Sequence, residues 1–161
     1  MPGAWEHTPQ EVVAKLLVDI GQATAPAYWA TPVAGDPNIA DYDWPAFPGK
    51  MPDQPDNCIS VSRGADRLDA RLMVTGENVK HFGITIRLRG ATDRLAGVKQ
   101  LQMEKAITEG HGWTVTLDAK QYFVQSFPQV TAVPGYDEQG SKRRLYNLNC
   151  LAVIIPYPIQ G

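Results

Sequence analysis

No apolar run in the chain approaches the roughly 18 residues of a membrane span, and the N-terminus lacks the charged-then-apolar order of a secretory signal. The sequence thus points to a protein made and used in a cytosol, with no membrane partner. Cysteine is scarce. Cys58 and Cys150 stand far apart, without the paired spacing of a zinc knuckle or a CxxC redox site, and are expected as two small buried hydrophobes. Basic residues are not in surplus: 15 Lys and Arg stand against 17 Asp and Glu, a net charge of -2, which disfavours a DNA-binding domain. Catalytic motifs are missing as well. No GxSxG, Walker loop or GxGxxG follows a predicted strand, so neither a phosphate cradle nor an activated nucleophile is expected. His7, His81 and His111 are scattered, with no HExxH and no two-His spacing on one helix, so no metal and no cofactor are expected. Asp137 and Glu138 are adjacent, and in an extended segment they point opposite ways, a poor arrangement for an acid/base pair.

What is present is organised around the stretch from His81 to Gly110. Phe82, Ile84, Ile86 and Leu88 alternate with Gly83, Thr85, Arg87 and Arg89, the period of a strand with one buried and one polar face. Ile84 and Ile86 should then be buried and Arg87 much less so. Leu95, Val98, Leu101, Met103, Ala106 and Ile107 follow at mostly helical steps, with Thr92 as N-cap, Asp93 in the first turn and Gly110 as the stop. Nearer the N-terminus, Thr8-Pro9-Gln10-Glu11 combines a capping box with Pro at the first helical position. Val12, Val13, Leu16, Leu17 and Ile20 make one apolar stripe there.

Between Ala23 and Asn57 the composition shifts to Pro, Gly, Asp and aromatics. Seven prolines forbid a regular helix and discourage a central strand, yet Tyr28, Trp29, Tyr42, Trp44 and Phe47 are too many large rings for a solvated linker. An ordered excursion is expected, with its rings packed on its own domain or on a neighbouring subunit. Cys58 to Ser62 reads as a short strand, Gly64 to Asp69 as a turn and Arg71 to Thr75 as another short strand. Trp113 to Leu117 and Tyr122 to Ser126 alternate like strands, and Pro128 marks a bulge or a sheet edge. Val133-Pro134-Gly135 reads as a break. Asp137 to Gly140 with Lys142, Arg143 and Arg144 reads as a charged loop, and Leu145 to Ile155 is the longest strand candidate.

At 161 residues the chain is expected to form a single domain, 1–161, able to bury roughly 68 to 70 per cent of its unfolded surface. The predicted fold is α/β (α+β). A mixed, mainly antiparallel sheet containing Phe82 to Arg89, Tyr122 to Ser126 and Leu145 to Ile155 carries two helices on one face, near Pro9 to Ile20 and Thr92 to Glu109, plus the long proline- and aromatic-rich loop. A polar strand face and an aromatic loop without an active site suit an assembly subunit. The candidate contact residues are Thr85, Arg87 and Arg89 on the strand, Trp29, Tyr42, Trp44 and Phe47 in the loop, and Arg143 and Arg144 in the charged segment.

Three segments carry a family resemblance: PGKMPDQPDNCISV at Pro48 to Val61, RLMVTGENVKHFGITIRLRG at Arg71 to Gly90, and GYDEQGSKRRLYNLNCLAVI at Gly135 to Ile154. In that order they resemble the tail terminator proteins of long, non-contractile-tailed bacteriophages, a group also labelled minor capsid or tail completion proteins. The resemblance implies a structural, non-enzymatic virion subunit, assembled in the bacterial host cytoplasm, that closes into a six-membered ring on the head-proximal end of the tail tube. Its implied partners are further copies of itself, the tail tube protein and a head-completion or connector protein, with genome DNA passing through the lumen without sequence-specific binding. Two other readings are carried alongside. One is a head-completion or connector adaptor of the same neck region; the other is a small cytosolic enzyme assembled from His81 or His111 with Asp137.

Overall fold

The computed structural model describes residues 5–23, 44–52, 56–64, 66–71, 78–137 and 143–157, without side chains at 67–71, 78–80 and 134. Helix α1 (Pro9–Asp19) starts where the sequence says it should. Thr8 Oγ1 accepts the Glu11 amide at 3.3 Å and the Glu11 carboxylate accepts the Thr8 amide at 3.4 Å, a reciprocal box that satisfies two amides left over at the helix start. Helix α2 (Asp93–Glu109) begins in the same way, with Thr92 Oγ1 accepting the Leu95 amide at 3.2 Å.

The described residues also form seven strands: β1 (Ala46–Pro48), β2 (Cys58–Arg63), β3 (Arg67–Arg71), β4 (Asn78–Gly90), β5 (Trp113–Leu117), β6 (Lys120–Asp137) and β7 (Arg144–Pro156). They pair in the order β1-β2-β4-β7-β6-β5, with β3 joined to the start of β4. Among the described strands only β1 and β2 run parallel; the other pairs are antiparallel. The result is the expected α+β architecture. Strands β1 and β5 lie at opposite ends of this order, yet α1 packs against both, so the sheet is curled around the helix. Helix α2 packs on β4, β6 and β7. Both helices feed one core, in which Val12, Leu16, Met103 and Ile107 meet Ile84, Ile86, Val124 and Leu148. Ile84 is 1 % exposed and Ile86 fully buried while Arg87 is exposed, which sets the strand register as the alternation required.

Several boundaries differ from expectation. The segment read as a turn from Gly64 to Asp69 already contains the start of β3, and residues 72–75 of the expected next strand lie outside the described residues. Val133-Pro134-Gly135 is not a break: β6 runs through it to Asp137, and through Pro128. It does so by shifting register between Ser126 and Gln129 and again between Val133 and Tyr136, so each proline falls where a ladder hydrogen bond is already given up. Strand β1 was not anticipated, and as a three-residue edge ending in Pro48 it fits the limit that proline sets. Helix α2 is rotated relative to its expected stripe. Val98 and Leu101 are 45 % and 65 % exposed, whereas Lys99 and Gln100 are buried with Ala96, Met103 and Ile107.

Candidate interaction faces

Strand β4 has two faces with different fates. On the outer face Thr85 is half-buried and Arg87 is exposed, its Nε donating to Asn147 Oδ1 at 3.4 Å on the neighbouring strand β7. Arg89 does not belong to this row as a free side chain. It is 3 % exposed, and its Nε donates to the Asp56 carbonyl at 3.3 Å, so the segment before β2 folds over it. Asn57 locks the same segment by accepting the Ala91 amide at 2.9 Å. Alternation gave the direction of Arg89 but not the cover supplied from elsewhere in the chain.

The aromatic loop is represented by two of its four candidates, since Trp29 and Tyr42 lie outside the described residues. Trp44 is 8 % exposed and belongs to the core cluster, with the Lys99 ammonium 6.0 Å from its ring centre, so it is an internal packing residue. Burial holds the Lys99 amine below the usual lysine range. Phe47 is half-buried in β1.

Arg143 and Arg144 are likewise held within the chain. Arg143 pairs with Asp56 at 3.4 Å. Arg144 bridges Asp93 at 2.9 Å and Asp137 at 2.7 Å, and the Tyr146 hydroxyl donates to the same Asp93 oxygen at 2.6 Å. These bonds hold the Asp93 carboxyl below its ordinary value, first through Tyr146 and then through Arg144, and they keep Arg144 charged. The group ties the start of α2 to the ends of β6 and β7. Gly135 makes room for it: a Cβ there would sit 2.4 Å from Tyr146 Cζ.

A polar cluster that sequence reasoning missed lies at the opposite end of the sheet. The Tyr122 hydroxyl is buried and accepts the Glu6 amide at 3.1 Å and the His7 amide at 2.9 Å. With both acceptor positions used, its proton goes to His7 Nδ1 at 2.9 Å, which leaves Nε2–H to donate to Asp118 Oδ2 at 3.1 Å. Trp5 stacks edge-on against Phe82 and tilted against Tyr122. This Tyr-His-Asp chain pins the segment before α1 to β6. The signal in the sequence was only a tyrosine at a core-facing strand position.

The residues of the enzyme reading are not brought together. Register links Gly90 to Arg144 and Arg144 to Asp137, whereas His81 lies nine residues back along β4, about 30 Å away at strand spacing. His111 is exposed just before β5, where Gly112 bonds to Gln125, twelve residues from Asp137 along β6. Among the described residues, no group of three or more His, Cys, Asp or Glu is placed to hold a metal ion, and no helix is long and apolar enough to cross a membrane. Cys58 and Cys150 are buried and form no disulfide, and burial pushes the Cys150 thiol up to about 12. No protein-family model matches the sequence, and no curated protein matches it.

Proposed function

We propose that this chain is a structural subunit of a phage virion, a tail terminator that closes into a six-membered ring on the head-proximal end of the tail tube. The observation that carries this reading is the division of the sheet: both helices pack on the inner face, and the outer face bearing Arg87 and Asn147 has no described helix over it. A closed ring needs two different contact surfaces on each subunit, because its contacts run head to tail. Beside the Arg87 row, the second surface is the outward side of α2, where Val98 and Leu101 hold apolar area in solvent. The ring stops tube polymerisation and offers its other side to the head connector. The resemblance of the three segments supports the same assignment.

The test uses infected-cell lysates that lack a working copy of the protein, viewed by electron microscopy. Tails of uncontrolled length that fail to join heads are expected. Tails of normal length joined to filled heads would leave the terminator reading without support, and normal-length tails that remain unjoined would favour the head-completion adaptor.

A further inference from the structure

Further along the outer face, away from the Arg87 row, a groove of about 610 Å3 lies between Gly64 and Asp66 on one side and β6 on the other. Strand register sets its chemistry. Thr85 of β4 stands opposite Asn149 of β7, and Asn149 opposite Thr131 of β6. The next row is Gly83, Leu151 and Gln129. Neighbouring strands are about 4.8 Å apart and same-face residues on one strand nearly 7 Å, so these side chains form a regular lattice of hydroxyls and carboxamides over a floor of Gly83 and Leu151.

Among the described residues the lining contains no Lys, Arg or His. The one carboxylate among them, Asp66, is engaged: Oδ1 accepts the Gly83 amide at 3.0 Å and Oδ2 takes the Arg63 guanidinium. Among the described residues an anion such as a phosphate meets only the Arg63 guanidinium that Asp66 already holds, and a cation finds a carboxylate already neutralised. Hydroxyls and carboxamides both donate and accept hydrogen bonds, which matches a ligand that does the same at many points without charge. The volume lies within the roughly 300 to 1,000 Å3 of small-molecule sites. We propose that this groove binds a neutral oligosaccharide, with Thr85, Thr131, Asn149 and Gln129 on its hydroxyls and Leu151 with Gly83 under the C–H face of a sugar ring. All of the lining comes from one subunit, so the site does not rest on ring formation.

The experiment is saturation-transfer NMR on the full chain with maltotriose and triacetylchitotriose as probes, each at about 10 mM, where sites with a Kd near 1 mM are well populated. At least one of the two is expected to bind. Asn149→Ala and Thr131→Val should each weaken that binding about fivefold, the loss of one net hydrogen bond. Thr116→Val, on β5 outside the groove, should leave it unchanged, and all three variants should keep the wild-type melting curve. Three results would overturn the proposal: no transfer to either saccharide, binding that neither groove substitution weakens, or tighter binding of inorganic phosphate than of both sugars.

Discussion

Helix α1 buries Val12, Val13, Ala14, Leu16 and Leu17, an arc of about 200° at 100° per residue, because it lies inside a curled sheet and touches both ends of it. Helix α2 covers only the middle strands, and its inward strip includes Lys99 and Gln100 while Val98 and Leu101 face water. The difference arises in the sheet. Where β6 shifts register beyond Val133, Gln100 reaches in and its amide donates to the Val133 carbonyl at 3.0 Å and the Asn147 carbonyl at 2.9 Å. The two donors satisfy two half-buried carbonyls, each costing about 1 to 3 kcal/mol if unmet, which is comparable to the apolar area that Val98 and Leu101 leave in water. One helix is thus placed by apolar area and the other by a polar debt in the strand beneath it.

That contrast can be broken most forcefully at α1. Leu16→Ala should cost about 2 to 5 kcal/mol in urea unfolding, while Leu101→Ala on the outward side of α2 should stay within roughly 0.5 kcal/mol. Equal losses at the two positions would remove the distinction. Gln100→Leu sharpens the other half: it adds apolar volume but strands two carbonyls, and should destabilise by about 1 to 3 kcal/mol. A more stable Gln100→Leu protein would mean that α2 is placed by apolar area after all.

The hairpin between β5 and β6 offers a smaller effect. Asp118 and Ala119 have φ of 47° and 66°, left-handed values that suit glycine at the second position of such a turn. Ala119→Gly should therefore raise stability by up to about 1 kcal/mol, the left-handed penalty less the entropy that glycine loses. Asp118, which holds His7, tolerates the same region better. Thermal unfolding of the single variant decides this, and a lower melting temperature would contradict it.

Smallest is a pH effect at the start of α2. The folded Asp93 carboxyl is held below its ordinary value of 3.8, first by the Tyr146 hydroxyl and then by Arg144. Its contribution is therefore present above that ordinary value and is lost as pH falls through the lower folded value. Asp93→Asn should flatten the acid limb of the stability curve in that window and leave the slope near neutrality unchanged. A variant whose acid limb matches the wild type would show that this surface group contributes nothing.

Much of the fold was legible in the chain because the informative signals were local. Thr8 with Glu11 and Thr92 set both helix starts, and the alternation from Phe82 to Leu88 set the register of the central strand. What escaped depended on partners distant in sequence. Arg89 is covered by Asp56, Trp44 lies under Lys99, and Tyr122 holds the backbone at Glu6 and His7. Pro128 marks a bulge as its sequence required, but Pro134 misled for a related reason, since a register shift against β7 lets the strand continue through a residue that cannot donate. Of the candidate contact residues, Arg87 retains an exposed position on the outer face, and the described aromatics and neighbouring arginines are held by their own chain.

Arg87 is accordingly where the assembly reading is most exposed to test. Arg87→Glu removes one 3.4 Å bond to Asn147 and should change monomer stability by no more than about 0.5 kcal/mol, whereas a like-charge contact at a subunit interface costs several kcal/mol. The decisive measurement is the tail-length distribution in lysates lacking the protein, complemented either with the wild type or with Arg87→Glu protein of confirmed normal melting. The account predicts that the wild type restores tails of uniform length joined to heads and that the variant leaves them uncontrolled and unjoined. Full restoration by a stably folded Arg87→Glu protein would contradict the assignment of this face to assembly.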